Sequence, residues 1–238
     1  MSEIAGRTAL VSGASRGIGL EVARVLASGG MHVAMVARTV SDLRARAAEI
    51  GGQAVALPCD VTDGVAVRTL ADRVASEFGG PPDVIVNNAG SFNLATVEAT
   101  APAAFRASLD VNLIGPFLLV HAFLGAMRAR QRGHVVTIGS IADRIAFAEN
   151  GAYAASKFGL RALHEVLRAE LRGSGVRATL VSPGPVDTAM WDGVDTENRP
   201  GFTPRSQMLP ARAVAEAVRY VVSQPAAVNV DELRLSRS

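Results

Sequence analysis

Tyr153 and Lys157 are the residues of this chain whose types and spacing point most directly to chemistry. The 24 basic residues divide into 23 arginines and one lysine, Lys157, and only two tyrosines occur. Arginine is a planar fork that does not give up its proton, whereas lysine is a compact point charge on a flexible stem. On a helix, Tyr-x-x-x-Lys puts both side chains on one face, one turn apart. An ammonium beside a phenol would pull the phenol below its reference pKa of about 10. The result would be a proton donor and acceptor for carbonyl–alcohol chemistry near neutral pH. Taken alone, the pair reads equally well as an exposed Tyr–Lys pair without a role.

The hydrophobic pattern supplies the elements that must position such a pair. Short apolar runs at 8–12, 33–37, 54–57, 84–86, 135–138, 178–181 and 232–235 predict strands. Helical periods fall at 18–27, 41–50, 63–78, 103–109, 111–130, 153–171 and 211–222. Apolar strands alternating with helices imply a doubly wound parallel sheet of about seven strands, with helices on both faces. Such sheets bind ligands outside the carboxyl ends of their strands. No linker or repeat interrupts residues 1–238, so the expectation is one α/β domain. Residues 188–209, with Gly193, Pro200, Gly201 and Pro204, are irregular, and 189–209 is expected to form a substrate lid.

Composition narrows the function classes. With 49% hydrophobic and 19% charged residues, the chain is of globular type. A net charge of +2 without like-charge runs argues against nucleic-acid or membrane partners. The single cysteine, Cys59, excludes an internal disulfide and fits a reducing, cytoplasmic setting. His32, His121, His134 and His164 lack ligand spacing, so no metal site is expected.

The first predicted strand ends in a glycine-rich turn with Gly13, Gly17 and Gly19, spaced Gly-x-x-x-Gly-x-Gly. Such a turn brings backbone N–H groups to a diphosphate at a helix N-terminus, although many glycine turns are only structural. The second strand ends in Val36-Ala37-Arg38-Thr39, with no acid to take a ribose 2′-hydroxyl. Arg38, and Arg16 within the turn, therefore predict NADP(H) over NAD(H), unless both are merely solvated.

In order and at the expected separations, residues 5–190 resemble the short-chain dehydrogenase/reductase family. The resemblance rests on the turn 13–19, Asp60-Val61, Asn87-Asn88-Ala89-Gly90, Asn112, Ser140, Tyr153, Lys157 and Pro183-Gly184. It implies a single Rossmann-like domain that interconverts a ketone and a secondary alcohol. By that likeness Tyr153 is the acid/base, Ser140 bonds the carbonyl oxygen, and Lys157 tunes the tyrosine and holds the nicotinamide ribose. Asn112 would hold a water leading from Lys157 to solvent. The cofactor set is Gly13, Ser15, Arg16, Gly17, Ile18, Gly19, Arg38, Asp60, Val61, Asn88, Ala89, Gly90, Tyr153, Lys157, Pro183, Gly184, Val186 and Thr188. Ser140 as a turn cap and Asn112 as a packed polar residue remain the plain alternatives. Pairing through helices 111–130 and 153–171 into a homodimer or homotetramer is also implied.

Two departures bear on substrate. Ser12 stands where the family usually has Thr, keeping the hydroxyl. The ending Asn229–Leu235 lacks the glycine pair usual in acyl-carrier ketoreductases and is closer to the branch acting on small hydroxy acids. Phe92, Phe147, Met190, Trp191 and Phe202 are candidates for an apolar pocket, and Arg144 or Arg205 for meeting a substrate carboxylate. A carrier-protein reductase, docked through Arg128, Arg130 and Arg132, and a non-catalytic dinucleotide-binding regulator remain the alternatives.

Overall fold

The computed structural model describes residues 4–238. Its strands are β1 (Thr8–Ser12), β2 (His32–Val36), β3 (Ala54–Ala56), β4 (Val84–Asn87), β5 (Gly133–Ile138), β6 (Val176–Pro183), β7 (Val186–Asp187), β8 (Leu209–Pro210) and β9 (Glu232–Leu235). The helices are α1 (Gly17–Ser28), α2 (Val40–Ile50), α3 (Gly64–Phe78), α4 (Pro102–Leu109), α5 (Gly115–Ala129), α6 (Gly151–Glu170) and α7 (Ala211–Ser223). Seven strands form one parallel sheet in the order β3-β2-β1-β4-β5-β6-β9, while β7 and β8 make a separate pair. The small β7–β8 pair was not expected, because two-residue strands leave no periodic trace in sequence.

Successive strand residues face opposite sides, so each strand serves two cores. Ala9 and Val11 pack with Val22, Leu26, Leu43 and Val218 from α1, α2 and α7. Leu10, between them, packs on the other face with Leu70, Leu119, Phe123 and Leu167 from α3, α5 and α6. That double burial is why the strands are uniformly apolar rather than alternating. Local signals end the helices: Asp63 caps α3 by accepting from the Val65 and Ala66 amides, and Gly79 closes it in the left-handed region.

The helices expected at 103–109 and 111–130 run on as one, joined by a π-turn over Asp110–Ile114. Pro116 explains part of this, since it has no N–H to offer the Asn112 carbonyl four residues earlier. The Gly115 amide reaches back to Asp110 instead, and Asn112 is fully buried. The continuous helix is apolar and long enough to cross a membrane, but it packs Leu119, Phe123 and Met127 into the sheet core.

Two histidines are sealed in this fold. His134 Nε2 lies 2.8 Å from Thr179 Oγ1, and His164 Nδ1 lies 3.0 Å from Thr137 Oγ1. Burial pushes His134 well below its usual value and His164 down to about 4. The unfolded chain protonates histidine near about 6.5, so between there and about 4 unfolding takes up protons. Stability therefore falls as pH drops through that window. Thermal unfolding from pH 7 to 4 should reveal the slope, and His164→Gln should reduce it.

Candidate active site

The sheet order reverses between β1 and β4, and side chains weld those two strand ends together. Ser12 Oγ donates to the Val86 carbonyl (3.2 Å) and accepts from the Asn88 (3.0 Å) and Ala89 (3.1 Å) amides. Asn88 Nδ2 donates to the Ser12 carbonyl at 2.9 Å. The hydroxyl retained at position 12 is thus fully used. Gly13 (φ +67°) and Gly17 (φ +56°) lie in the left-handed region that favours glycine. A Cβ on Gly19 would collide with the Gly13 carbonyl and the Asn88 amide group, and one on Gly17 would sit 3.3 Å from Thr188. The turn carrying Ser15, Arg16 and Ile18 is therefore a narrow cradle facing Thr188, and a side chain would fill it.

Arg16 and Arg38 are exposed at one end of this cradle. Asp60 feels the Arg38 charge; burial pushes its carboxyl up, but the Thr62 hydrogen bonds and Arg38 outweigh that and hold it low. Val61 is buried against Gly115, where an added Cβ would lie 2.9 Å from Val61 Cγ2. Gly90 comes close to Asn112, whose Oδ1 would be 3.3 Å from a Cβ there. These residues fit a dinucleotide: glycine-lined backbone that suits a diphosphate, exposed guanidinium groups that suit a phosphate, and the Asp60 carboxylate near Arg38.

At the other end, Tyr153 and Lys157 occupy successive turns of α6. Lys157 is buried; its Nζ donates to the Ile138 carbonyl at 2.9 Å and lies 5.6 Å from the centre of the Tyr153 ring. Burial lowers the lysine to about 8, while the nearby Asp143 charge opposes the fall. The phenol behaves differently from the sequence expectation. Burial raises it and Asp143 adds to the rise, against a contact with Ser140 that lowers it. The reason is that burial disfavours the charged form of each group, and tyrosinate is the charged form of the phenol.

Ser140 caps a turn and also lies against the tyrosine. Its Oγ accepts from the Ala142 amide, capping a short turn at Ile141–Asp143, and it also meets Tyr153. The Asn112 side chain is committed to the protein. Nδ2 donates to the Ser91 carbonyl and Ser156 Oγ (both 2.9 Å), Oδ1 accepts from the Ser91 amide (2.8 Å), and Ser156 Oγ in turn donates to the Tyr153 carbonyl. It therefore ties the 88–91 turn to the helix that carries Tyr153.

The strand-end residues Pro183 and Gly184 lie against β9, the Gly184 amide donating to the Leu235 carbonyl at 2.8 Å. Val186 is buried, and its carbonyl accepts from Trp191 Nε1 at 3.1 Å. Of the candidate pocket residues, Phe92, Trp191 and Phe202 line up on the tyrosine. Phe92 meets Tyr153 edge-on (5.0 Å, 88°), Trp191 is 5.0 Å from Phe92, and Phe202 is 6.4 Å from Trp191. Phe147 and Met190 stay exposed. Arg199 stacks on Phe202 and pairs with Glu149, fastening this segment to the loop before Tyr153. Nothing in sequence marks that pair, since fifty positions separate its members.

The arginines proposed for docking are spent internally. Arg144 pairs with Asp143 and Glu232, and Arg205 with Asp187 and Asp192, so neither offers an uncompensated charge to a substrate carboxylate. Arg130 and Arg132 share the single Asp83 carboxylate, and Arg128 donates to the Glu170 carbonyl.

Residues 7–199 match the family model described as short chain dehydrogenase. The chain belongs to the short-chain dehydrogenase family. It is 35% identical to D-threitol dehydrogenase of Mycolicibacterium smegmatis, over 94% of this chain and 88% of that protein. It is 30% identical to a 3-oxoacyl-[acyl-carrier-protein] reductase of Escherichia coli, covering 93% and 92%. A metagenomic short-chain oxidoreductase in complex with NADP superposes with a TM-score of 0.85 at 34% identity, over all of this chain and 99% of that one. An alcohol dehydrogenase of Thermococcus sibiricus complexed with 5-hydroxy-NADP gives 0.86 at 31% identity, covering 96% and 95%. The protein is thus an oxidoreductase of this family, with its glycine turn, Tyr153 and Lys157 at the carboxyl edge of the sheet.

The Ser12 weld carries a prediction. Ser12→Ala removes a buried hydroxyl with three partners and should lower unfolding free energy by about 1–3 kcal/mol. Ser12→Thr should keep most of it, and urea denaturation of both variants measures the difference.

Proposed function

We propose that this dehydrogenase interconverts a ketone and a secondary alcohol with NADP(H), using Tyr153 as acid/base. The observation that carries the reading is the placement of Lys157 one helical turn from Tyr153, its Nζ 5.6 Å from the ring centre, with Ser140 against the same tyrosine. When bound, NADP(H) supplies the hydride; the chain's own residues orient the carbonyl and manage its proton. Gly13, Ser15, Gly17, Ile18 and Gly19 would hold the diphosphate, and Arg16 with Arg38 the 2′-phosphate. Asp60 and Val61 would take the adenine, Asn88, Ala89 and Gly90 the adenosine ribose and middle, and Pro183, Gly184, Val186 and Thr188 the nicotinamide end. The NADP complexes among similar structures support the same cofactor.

In the reducing direction Tyr153 gives its phenolic proton to the carbonyl oxygen while Ser140 donates a hydrogen bond to that oxygen. Lys157 holds positive charge beside the tyrosinate that results and would bond the nicotinamide ribose. Asn112 acts through structure, fixing the 88–91 turn on the tyrosine's helix. A phenol raised by burial stays protonated at neutral pH, so it is loaded for reduction. Alcohol oxidation, which needs the phenolate, should accelerate toward alkaline pH.

Phe92 and Trp191 beside the phenol favour a small ketone with an apolar substituent, with residues 189–209 acting as the lid. The outward faces of α4, the π-turn, α5 and α6 leave Phe105, Ile114, Phe117 and Phe158 exposed, and we assign them to pairing in a homodimer or homotetramer. The cytoplasm is the compartment that suits a chain with one buried thiol.

Titration with NADPH and NADH, following quenching of Trp191, tests the cofactor assignment. NADPH should bind at least about tenfold more tightly, some 1.4 kcal/mol, and Arg38→Ala should erase most of that preference. Tyr153→Phe should retain NADPH binding while reducing carbonyl turnover by at least about a hundredfold. Equal binding of both cofactors, or an active Phe variant, would overturn the respective parts.

A further inference from the structure

Asp143 is the residue of this site that neither the motif comparison nor the proposed chemistry uses, and it is among the most heavily bonded. Its carboxylate is sealed from solvent. Oδ2 accepts from Ser182 Oγ at 2.5 Å and from the Ser140 amide at 3.3 Å. Oδ1 accepts from Arg144 Nε at 2.8 Å and lies 3.7 Å from Arg161 Nη1. The neighbouring Gly139 is shaped by this arrangement: a Cβ there would sit 2.6 Å from Asp143 Oδ2 and 2.7 Å from Ser182 Oγ.

The partners come from three different elements. Ser140 and Arg144 belong to the turn after β5, Ser182 to β6, and Arg161 to α6, one turn beyond Lys157. Both arginines reach on to Glu232 of β9, and Arg161 also pairs with Glu165. Two acids and two arginines thus close a charge-balanced network at the centre. Isolated buried charge is expensive, and here every charge has a counter-charge and directed hydrogen bonds. The Ser140 backbone is bonded to the same carboxylate that binds the last strands and approaches the helix carrying Tyr153 and Lys157. Ten residues of loop, 141–150, separate Ser140 from that helix. A loop of this length does not by itself fix a serine to within hydrogen-bonding tolerance of a phenol.

We propose that Asp143 is a positioning residue of this active site, holding Ser140 in register with Tyr153 and placing a buried negative charge against the helix that carries Lys157. This rests on the proposed carbonyl chemistry for its kinetic consequence, but not for its electrostatic one. The charged and titratable groups facing Asp143 are Arg144, Arg161, Tyr153, Lys157 and, through the arginines, Glu232. Its charge raises both Tyr153 and Lys157, so removing it should lower both.

The sole lysine makes the test direct. Uniformly ¹³C-lysine-labelled protein has one lysine side-chain resonance, and its pH titration reports Lys157 alone. In Asp143→Asn the midpoint should move below its wild-type value. Turnover of a ketone found in an NADPH-dependent screen should fall by about tenfold or more, NADPH affinity should stay within about twofold, and Asp143→Glu should recover part of the turnover. Ser182→Ala keeps the charge and serves if the Asn variant does not fold. It should lower turnover several-fold without moving the lysine midpoint. An unmoved lysine midpoint in folded Asp143→Asn, or full turnover in Ser182→Ala, would overturn the proposal. A wild-type protein that binds NADPH but reduces no ketone would instead overturn the proposed function, and the lysine titration would still decide the role of Asp143.

Discussion

A sheet whose strands all run the same way, buried on both faces, must present every strand's carboxyl end along one edge. The chain accepts that constraint with helical crossovers and gains a row of chemically distinct strand ends. From β1 comes the glycine turn, from β4 Asn88 to Gly90, from β5 Ser140, and from β6 Pro183 to Thr188. The row is useful only if its members are held at fixed spacing. At the point where strand order reverses, Ser12 and Asn88 bind β1 to β4 through side chain and backbone together. Toward the opposite edge, Asp143 and Ser182 do the same for β5 and β6, with Arg144 and Arg161 extending the tie to β9. Polar side chains reinforce, along the functional edge, the spacing that the backbone ladders set.

Burial has opposite effects on the two groups at the centre. Lysine is charged when protonated and is pushed down to about 8; tyrosine is charged when deprotonated and is pushed up. Each shift disfavours the charged form of its own group, so burial by itself does not favour an ammonium–tyrosinate pair. A lone cation beside a phenol is a good first approximation on an exposed helix, and a poor one in a site that also contains a buried carboxylate. Asp143 favours the protonated form of both groups, holding the ammonium charged and the phenol neutral. That combination suits proton donation to an incoming carbonyl oxygen.

Much of the fold was legible because its signals are local and repeated. The strands and helices follow from apolar runs and helical periods, and the sheet from the uniform character of those runs. Displacements were confined to element ends, as at β6, which runs from Val176 rather than 178. The π-turn at Asp110–Ile114 was missed because helical periodicity continues through it, although Pro116 was the visible clue. Asp143 also left a trace: Ser140-Ile141-Ala142-Asp143 has the spacing of a capping box, and the structure contains one there. By contrast, Arg199 with Glu149 and the line Phe92–Trp191–Phe202 left none, because their members approach only after the chain returns from distant loops.

The sequence by itself determined the class of fold, the family and the identity of the groups gathered at the sheet edge, since each depends on residue type at short spacing. Tertiary structure alone decided what those groups are free to do. Arg144 and Arg205 are cations in sequence but spent charges in the fold, Asn112 is held by Ser91 and Ser156, and the Tyr153 phenol is raised rather than lowered. The physical reason is that charge and hydrogen-bonding capacity are consumed by whatever lies within a few ångströms, and those neighbours come from residues far along the chain.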